Sequence, residues 1–248
     1  MKISLQLYTV RDQMNADPAG TLKALGKMGL KWVETAGTAG KSTPEFAAML
    51  KDAGLKVSGM HVGLDACEKE LDTVLKDAEI LKSPYIVVPW VPESSYKDGW
   101  DKIGLRLQSI GEKVARAKRG FAYHNHTFEF VDAGGRTGYD ALFEAACPDY
   151  VKNEIDLWWA HCGKQDPAEL VLKYGNRVRL VHLKDGKGCQ DPTQMEAGRG
   201  VMDWDKVLKA CEKAKVEYGC IELDTCPNPP LESVKTSLDF FRSKGYRQ

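Results

Sequence analysis

No CxxC pair occurs in this sequence, and its seven cysteines (Cys67, Cys147, Cys162, Cys189, Cys211, Cys220 and Cys226) are odd in number. Zinc-ribbon and thioredoxin-type sites are thereby excluded, and the expectation is buried or incidental thiols in a reducing compartment. No run approaches the ~18 apolar residues of a membrane span. The N-terminus, Met1-Lys2-Ile3-Ser4-Leu5-Gln6-Leu7-Tyr8, turns polar too soon for a signal peptide. A cytoplasmic protein is expected, or a periplasmic one if a leader has been removed. Neither sign of charge is in excess, with 35 basic against 35 acidic side chains. That balance leaves no bulk electrostatic footprint for nucleic acid or an anionic membrane, and neither is expected as a partner. GxGxxG is absent, as are low-complexity segments and any linker that would split the chain.

What is present is a repeat. The 248 residues suit one domain spanning 1–248, of the size an α/β barrel uses. Short β-rich runs recur at 3–7, 31–34, 56–60, 85–88, 121–123, 151–155, 178–182 and 218–223. Several are almost wholly apolar, such as Tyr85-Ile86-Val87-Val88, as in a parallel sheet covered on both faces. Between them lie helical patterns. Asp17-Pro18, Thr43-Pro44-Glu45 and Asp166-Pro167 read as helix starts and Gly54 as a stop, while 68–82, 101–118, 139–146, 203–213 and 231–244 supply further helices. Strand starts lie roughly 25–40 residues apart, the pitch of a βα unit. The predicted fold is an α/β (β/α)8 TIM barrel, a single domain. An open doubly wound sheet is the runner-up, but Tyr8-Thr9-Val10-Arg11-Asp12 stands where its glycine fingerprint belongs. The stretch 184–202 is expected to be a long loop over the active face.

Barrel enzymes build their sites at the C-terminal ends of the strands. Four of the five histidines (His61, His124, His126 and His182) fall at such ends, with Glu34, Asp156 and Glu222. One histidine there reads most simply as structural. Where histidines and carboxylates converge from four strands, the carboxylates repel one another and lose solvation unless a cation joins them. The metal set proposed from position is His124, Asp156, His182 and Glu222, and mixed nitrogen and oxygen donors suit Mn, Zn, Co or Fe, with Mg a poorer fit.

The motifs have a familiar order. Leu5-Gln6-Leu7-Tyr8-Thr9-Val10-Arg11-Asp12 is followed by Trp32-Val33-Glu34, Tyr123-His124-Asn125-His126 and Glu154-Ile155-Asp156-Leu157-Trp158-Trp159. Then come His182-Leu183-Lys184-Asp185-Gly186, Gly198-Arg199-Gly200-Val201-Met202-Asp203-Trp204 and Glu222-Leu223-Asp224-Thr225-Cys226-Pro227. Together they resemble the xylose-isomerase-like TIM-barrel family, also called the sugar phosphate isomerase/epimerase family, over nearly the whole chain. The resemblance implies one divalent metal at the barrel mouth, held by a glutamate, an aspartate, a histidine and a glutamate from strands five to eight. The last three fall on Asp156, His182 and Glu222. The first falls on His124, a departure that removes one of the two glutamates with which isomerases of the family shuttle a proton.

The implied chemistry is metal-assisted proton abstraction beside a sugar carbonyl, leaving an enediolate. Glu222 is the first choice of base. His126 is the second, or else an orienting group, and Lys184 binds a hydroxyl or stabilises the enediolate unless it is a surface ion pair. Glu34 and His61 are expected to line the pocket. One of Trp158 and Trp159, pointing oppositely if in a strand, would stack on sugar, with Tyr8 and Trp90 as further platforms. Lys187 and Arg199 are expected to be solvated. The expected function is a sugar isomerase or epimerase, a monomer or homodimer. The alternatives are a β-eliminating lyase on 3-keto-glycosides and a non-catalytic carbohydrate-binding barrel. A phosphodiesterase or apurinic-site endonuclease calls for more histidines and a basic face.

Overall fold

The computed structural model describes residues 1–246. Its strands are β1 (Lys2–Gln6), β2 (Trp32–Ala36), β3 (Lys56–His61), β4 (Tyr85–Val88), β5 (Gly120–His124), β6 (Lys152–Asp156), β7 (Val178–Leu183), β8 (Asp185–Gly188), β9 (Asp191–Met195) and β10 (Tyr218–Ile221). Eight of them close into a parallel barrel in the order β1-β10-β7-β6-β5-β4-β3-β2. The eight predicted strands all form, within one or two residues of their expected bounds. Their apolar residues are buried on both faces: Ile86, Val87 and Val88 are wholly inaccessible, because helices cover the outside and side chains fill the inside.

The helices start where short polar residues can bind free N–H groups. The Asp17 side chain accepts from Gly20 N at 2.9 Å at the head of Pro18–Lys27. Ser42 and Glu45 form a capping box on Thr43–Asp52. The Asp166 carboxylate accepts from Ala168 N and Glu169 N ahead of Pro167–Tyr174. Among the described residues, no helix is long and apolar enough to cross a membrane.

The structure corrects four expectations. The helix expected over 68–82 is two, Leu64–Lys69 and Leu71–Ile80, with Glu70 outside helical dihedrals between them. Trp158 and Trp159 lie in no strand, because Asp156 ends β6 and its side chain accepts from Trp159 N at 2.9 Å, capping a short helix, Leu157–Cys162. The segment 184–202 is more than loop: β8 and β9 pair antiparallel within it. The buried Asp185 carboxylate anchors that segment by accepting from Gly186 N, Gly198 N, Gly200 N, Met202 N and Trp204 Nε1. A Cβ on Gly200 would lie 2.1 Å from Asp185 Oδ1 and 2.3 Å from Gly186 O, so only glycine fits there. Finally, two of the seven cysteines are not thiols. Cys162 and Cys189 form a disulfide with Cα atoms 5.1 Å apart, which ties the hairpin to the helix that follows β6.

Inside the barrel, Tyr85, Val87, Ala122, Leu180 and Tyr218 form an apolar plug with Trp32 packed against it. Elsewhere the interior turns polar. Ser4 and Ser58 hydroxyls meet at 2.6 Å, and charged side chains occupy the strand ends.

Candidate active site

Side chains two residues apart on a strand share a face. Three strands use that spacing here: Glu154 and Asp156 from β6, His182 and Lys184 from β7, Glu222 and Asp224 from just beyond β10. Strand pairing sets His124 beside Glu154 and Asp156 beside His182.

One group is fully enclosed. Glu34 Oε2 accepts from Gln6 Nε2 at 2.9 Å and His182 Nε2 at 2.7 Å, and His61 Nε2 lies 3.0 Å away. His61 Nε2 also meets Glu154 Oε2 at 2.8 Å, and His124 Nδ1 lies 3.3 Å from the same oxygen. β3 makes room for this cluster at Gly59, where a Cβ would stand 2.6 Å from Glu34 Oε1. Burial pulls the His61 imidazole down, but Glu34 and Glu154 outweigh it and raise its pKa to about 10. His61, mostly buried at the cavity floor, is held between two carboxylates that favour its charged form.

The second group is the set expected from sequence. His124, Asp156, His182 and Glu222 each present a donor atom within 4.8 Å of the others. Their surroundings fit a cation. His182 Nε2 is hydrogen-bonded to the buried Glu34 at 2.7 Å, while His124 Nδ1 lies 3.3 Å from the buried Glu154 without a hydrogen bond. The Glu34 contact fixes the His182 ring and turns its Nδ1 to a ligand position. His182 Nδ1 and Glu222 Oε2 lie 2.6 Å apart, a gap that a shared proton or a shared cation can bridge. Asp156 Oδ2 is buried without a hydrogen bond, with the Lys184 ammonium 3.0 Å away as its cationic neighbour.

Lys184 is the local counter-ion. Its Nζ lies 3.0 Å from Asp156 Oδ2, 2.9 Å from Glu222 Oε2 and 2.8 Å from Asp224 Oδ2. Burial opposes its charge, but these carboxylates outweigh burial and hold its pKa well above the usual lysine range. Burial likewise raises Glu222, yet Lys184 and His182 keep it well below the usual carboxylate range. For Asp156 burial wins over Lys184, and its pKa rises to about 6. Burial and Lys184 depress His126 to about 4, so this imidazole is neutral at neutral pH. Beneath it Glu129 accepts from Tyr123 OH at 2.7 Å and His126 N at 2.9 Å, and burial lifts its pKa to about 7.

A cavity of about 710 Å³ opens above this floor, lined by Tyr8, His61, Trp90, His124, His126 and Trp159 along with Lys184, Glu222 and Asp224. The volume is that of a small-molecule site. Tyr8 and Trp90 stand exposed at its rim. Of the residues expected to touch substrate, Tyr8 and His61 line the cavity, whereas Glu34 is buried and contacts His61 and His182 instead. Trp158 does not line it either. Two per cent exposed, it packs so closely on Gly186 that a Cβ there would lie 2.3 Å from its ring. Trp159 takes the cavity position because the helix after β6 turns it inward. Lys184 is no surface ion pair, and Arg199 is exposed beside Glu196. Sequence reasoning passed over Glu154, Asp224 and Gln194. The two-residue spacing from Asp156 and Glu222 pointed to the first pair. Nothing local pointed to Gln194, which reaches Asp224 from β9, donating to its Oδ2 at 2.7 Å and accepting from its N at 2.6 Å.

The sequence profile described as Xylose isomerase-like TIM barrel matches residues 22–244. An inosose dehydratase of Geobacillus kaustophilus is 25% identical over 195 residues, covering 66% of this chain and 60% of that protein. The chain thus spans about three-fifths of that relative's length. A sugar phosphate isomerase/epimerase from Parabacteroides distasonis superposes over 100% of this chain and 95% of its own, with a TM-score of 0.87 and 22% identity. An IolI protein with a bound zinc atom superposes with a TM-score of 0.75 at 13% identity, covering 99% of each chain. At these identities the two structures show a shared fold.

Proposed function

Because the chain belongs to the xylose isomerase-like TIM barrel family, we propose that it is an enzyme acting on a keto or aldo sugar or sugar derivative, using one divalent metal ion held by His124, Asp156, His182 and Glu222. The observation that carries this reading is the donor set itself: four side chains from four strands within 4.8 Å, with His182 oriented by the buried Glu34 carboxylate. Bound there, the ion supplies a Lewis acid that polarises a sugar carbonyl and acidifies the neighbouring C–H.

The remaining work falls to the chain's own groups. Glu222, ionised and at the cavity floor, receives the proton from carbon. His126, neutral and in the same wall, orients a hydroxyl or carries the proton onward. Lys184 Nζ donates toward the oxygen that gains charge. Trp159, Trp90 and Tyr8 hold the apolar face of the ring and exclude water. Proton return to the neighbouring carbon gives isomerisation, and return to the opposite face gives epimerisation. Loss of a β-hydroxyl or alkoxyl gives elimination.

Elimination is the outcome these residues serve best. A single carboxylate, Glu222, has an ammonium, Lys184, 2.9 Å away, and His124 stands where a second glutamate would be needed for a carboxylate-to-carboxylate shuttle. One carboxylate can take the proton from carbon and pass it to the leaving oxygen, while the Lys184 ammonium, held charged, stabilises the oxygen that gains negative charge. The dehydratase name carried by the Geobacillus relative agrees with that outcome.

The test is deuterium exchange at the carbon beside the carbonyl of keto-sugars, with Glu222→Gln as the probe. The variant is expected to fold and to lose exchange by about 10²–10⁴-fold. Retained exchange removes Glu222 from the base position. Metal analysis of protein purified without chelator tests the ligand set, and failure to take up any divalent ion leaves the non-catalytic carbohydrate-binding barrel as the better reading.

A further inference from the structure

The cavity carries a charge pattern that narrows its substrate, an inference that rests on the sugar-enzyme reading above. We propose that the site accepts uncharged keto-sugars, free or glycosidic, and rejects their phosphate monoesters. Lys184 is the sole lysine among the described lining residues, and no arginine is among them. Its ammonium is already matched by three carboxylates at 2.8–3.0 Å. A phosphate dianion entering here meets Glu222 and Asp224 in the wall, and even a bound divalent ion together with Lys184 and His61 is outnumbered in charge by Glu34, Glu154, Asp156, Glu222 and Asp224.

Two nearby arginines are engaged too. Arg11 lies beside the rim, but its Nη2 donates to Asp224 O at 2.9 Å and its Nη1 to Tyr8 O at 3.0 Å, with the guanidinium stacked 4.3 Å from the Tyr8 ring. Arg199 pairs with Glu196.

Barrels of this kind often bind phosphate with backbone N–H groups in the loops after the seventh and eighth strands. Here the N–H groups of Gly186, Gly198, Gly200 and Met202, which follow β7, all donate to the buried carboxylate of Asp185. An internal anion fills the cradle that an external one would need. What the cavity offers instead is aromatic surface, from Tyr8, Trp90 and Trp159, beside hydrogen-bonding groups on the floor. That combination suits a neutral ring with one apolar face.

The experiment measures binding rather than turnover. Tryptophan fluorescence and calorimetry are run on the metal-loaded full chain with D-fructose against fructose 6-phosphate, methyl glucoside against glucose 6-phosphate, and inorganic phosphate alone. The expected result is that the neutral member of a pair binds at least about tenfold more tightly, with no saturable binding of inorganic phosphate. Asp224→Asn is expected to narrow the preference, since it removes one opposing carboxylate. Equal or tighter binding of the phosphate esters, or inorganic phosphate that a sugar displaces, overturns the inference while leaving the metal-dependent reading intact. Failure of every neutral probe to bind overturns it as well, because the aromatic cradle is then no seat for sugar.

Discussion

Glu34 and Glu154 do not line the cavity, yet Glu34 holds the His182 ring and Glu154 sits beside His124. Removing the charge of Glu34 frees the His182 ring to rotate and weakens its basicity. Glu34→Gln is therefore expected to lower metal affinity by about 10–100-fold, measured by competition against a chelating dye, with the far-ultraviolet spectrum unchanged. Glu129 gives a residue-scale prediction of another kind. Its pKa rises from 4.5 unfolded to about 7 folded, so the fold disfavours the ionised form. Stability is fully present below the lower value and declines as pH climbs toward the upper one, by about 3 kcal/mol in all. Urea denaturation on either side of that window is expected to show the decline in the parent protein and a shallower one in Glu129→Gln, the remainder belonging to Asp156, whose pKa is also raised. An unchanged slope in the variant assigns the whole decline to other groups. The four expected ligands and His126 were legible because polar residues at the ends of apolar strands stand out. The support beneath them was not, since Glu34 and Glu129 owe their surroundings to residues distant in sequence.

Elements differ in how much they owe to local chemistry. The helices opened by Asp17-Pro18 and Asp166-Pro167 could be read directly, because a cap and a first-turn proline act within one turn. The β8–β9 hairpin could not. Its segment lacks strand-like alternation, and it is held by Asp185, by Gln194 on Asp224 and by the bond from Cys189 to Cys162. Such an element should fail when its tertiary anchor fails. Asp185→Ala leaves several buried N–H groups unpaired and is expected to cost about 3 kcal/mol or more. Limited proteolysis is expected to cut the variant within 185–202 well before the parent. Equal resistance would show that the disulfide alone secures the hairpin. The Trp158 and Trp159 expectation failed for a related reason. β6 stops at Asp156 because that carboxylate caps the next helix, and a strand's last residue is among the features sequence periodicity resolves least well.

At the scale of the molecule, the alternation of apolar runs and capped helices specified a closed barrel, since a sheet buried on both faces with crossovers throughout has few other solutions. The proposed ligand set would join metal binding to stability. Its four residues come from β5, β6, β7 and the end of β10, so an ion bound there would link half of the circumference. At a hundredfold excess over Kd, binding is expected to add about 2.7 kcal/mol, or roughly 5–10 °C in Tm for a chain of this size. Differential scanning fluorimetry with Mn²⁺ or Zn²⁺, reversed by chelator, reads this directly, and an unchanged Tm argues against the ligand set. β7 has a further role in that linkage. His182 and Lys184 face inward, while Val181 and Leu183 are buried in the apolar layer outside. A slip of one residue in this strand would exchange the two pairs at once. A proposed metal ligand and the one lysine among the described lining residues would vanish together, and polar side chains would be forced among hydrocarbon. The penalty for misregistration thus falls on folding and on chemistry in the same event, so a half-assembled version of this site has no stable barrel to live in.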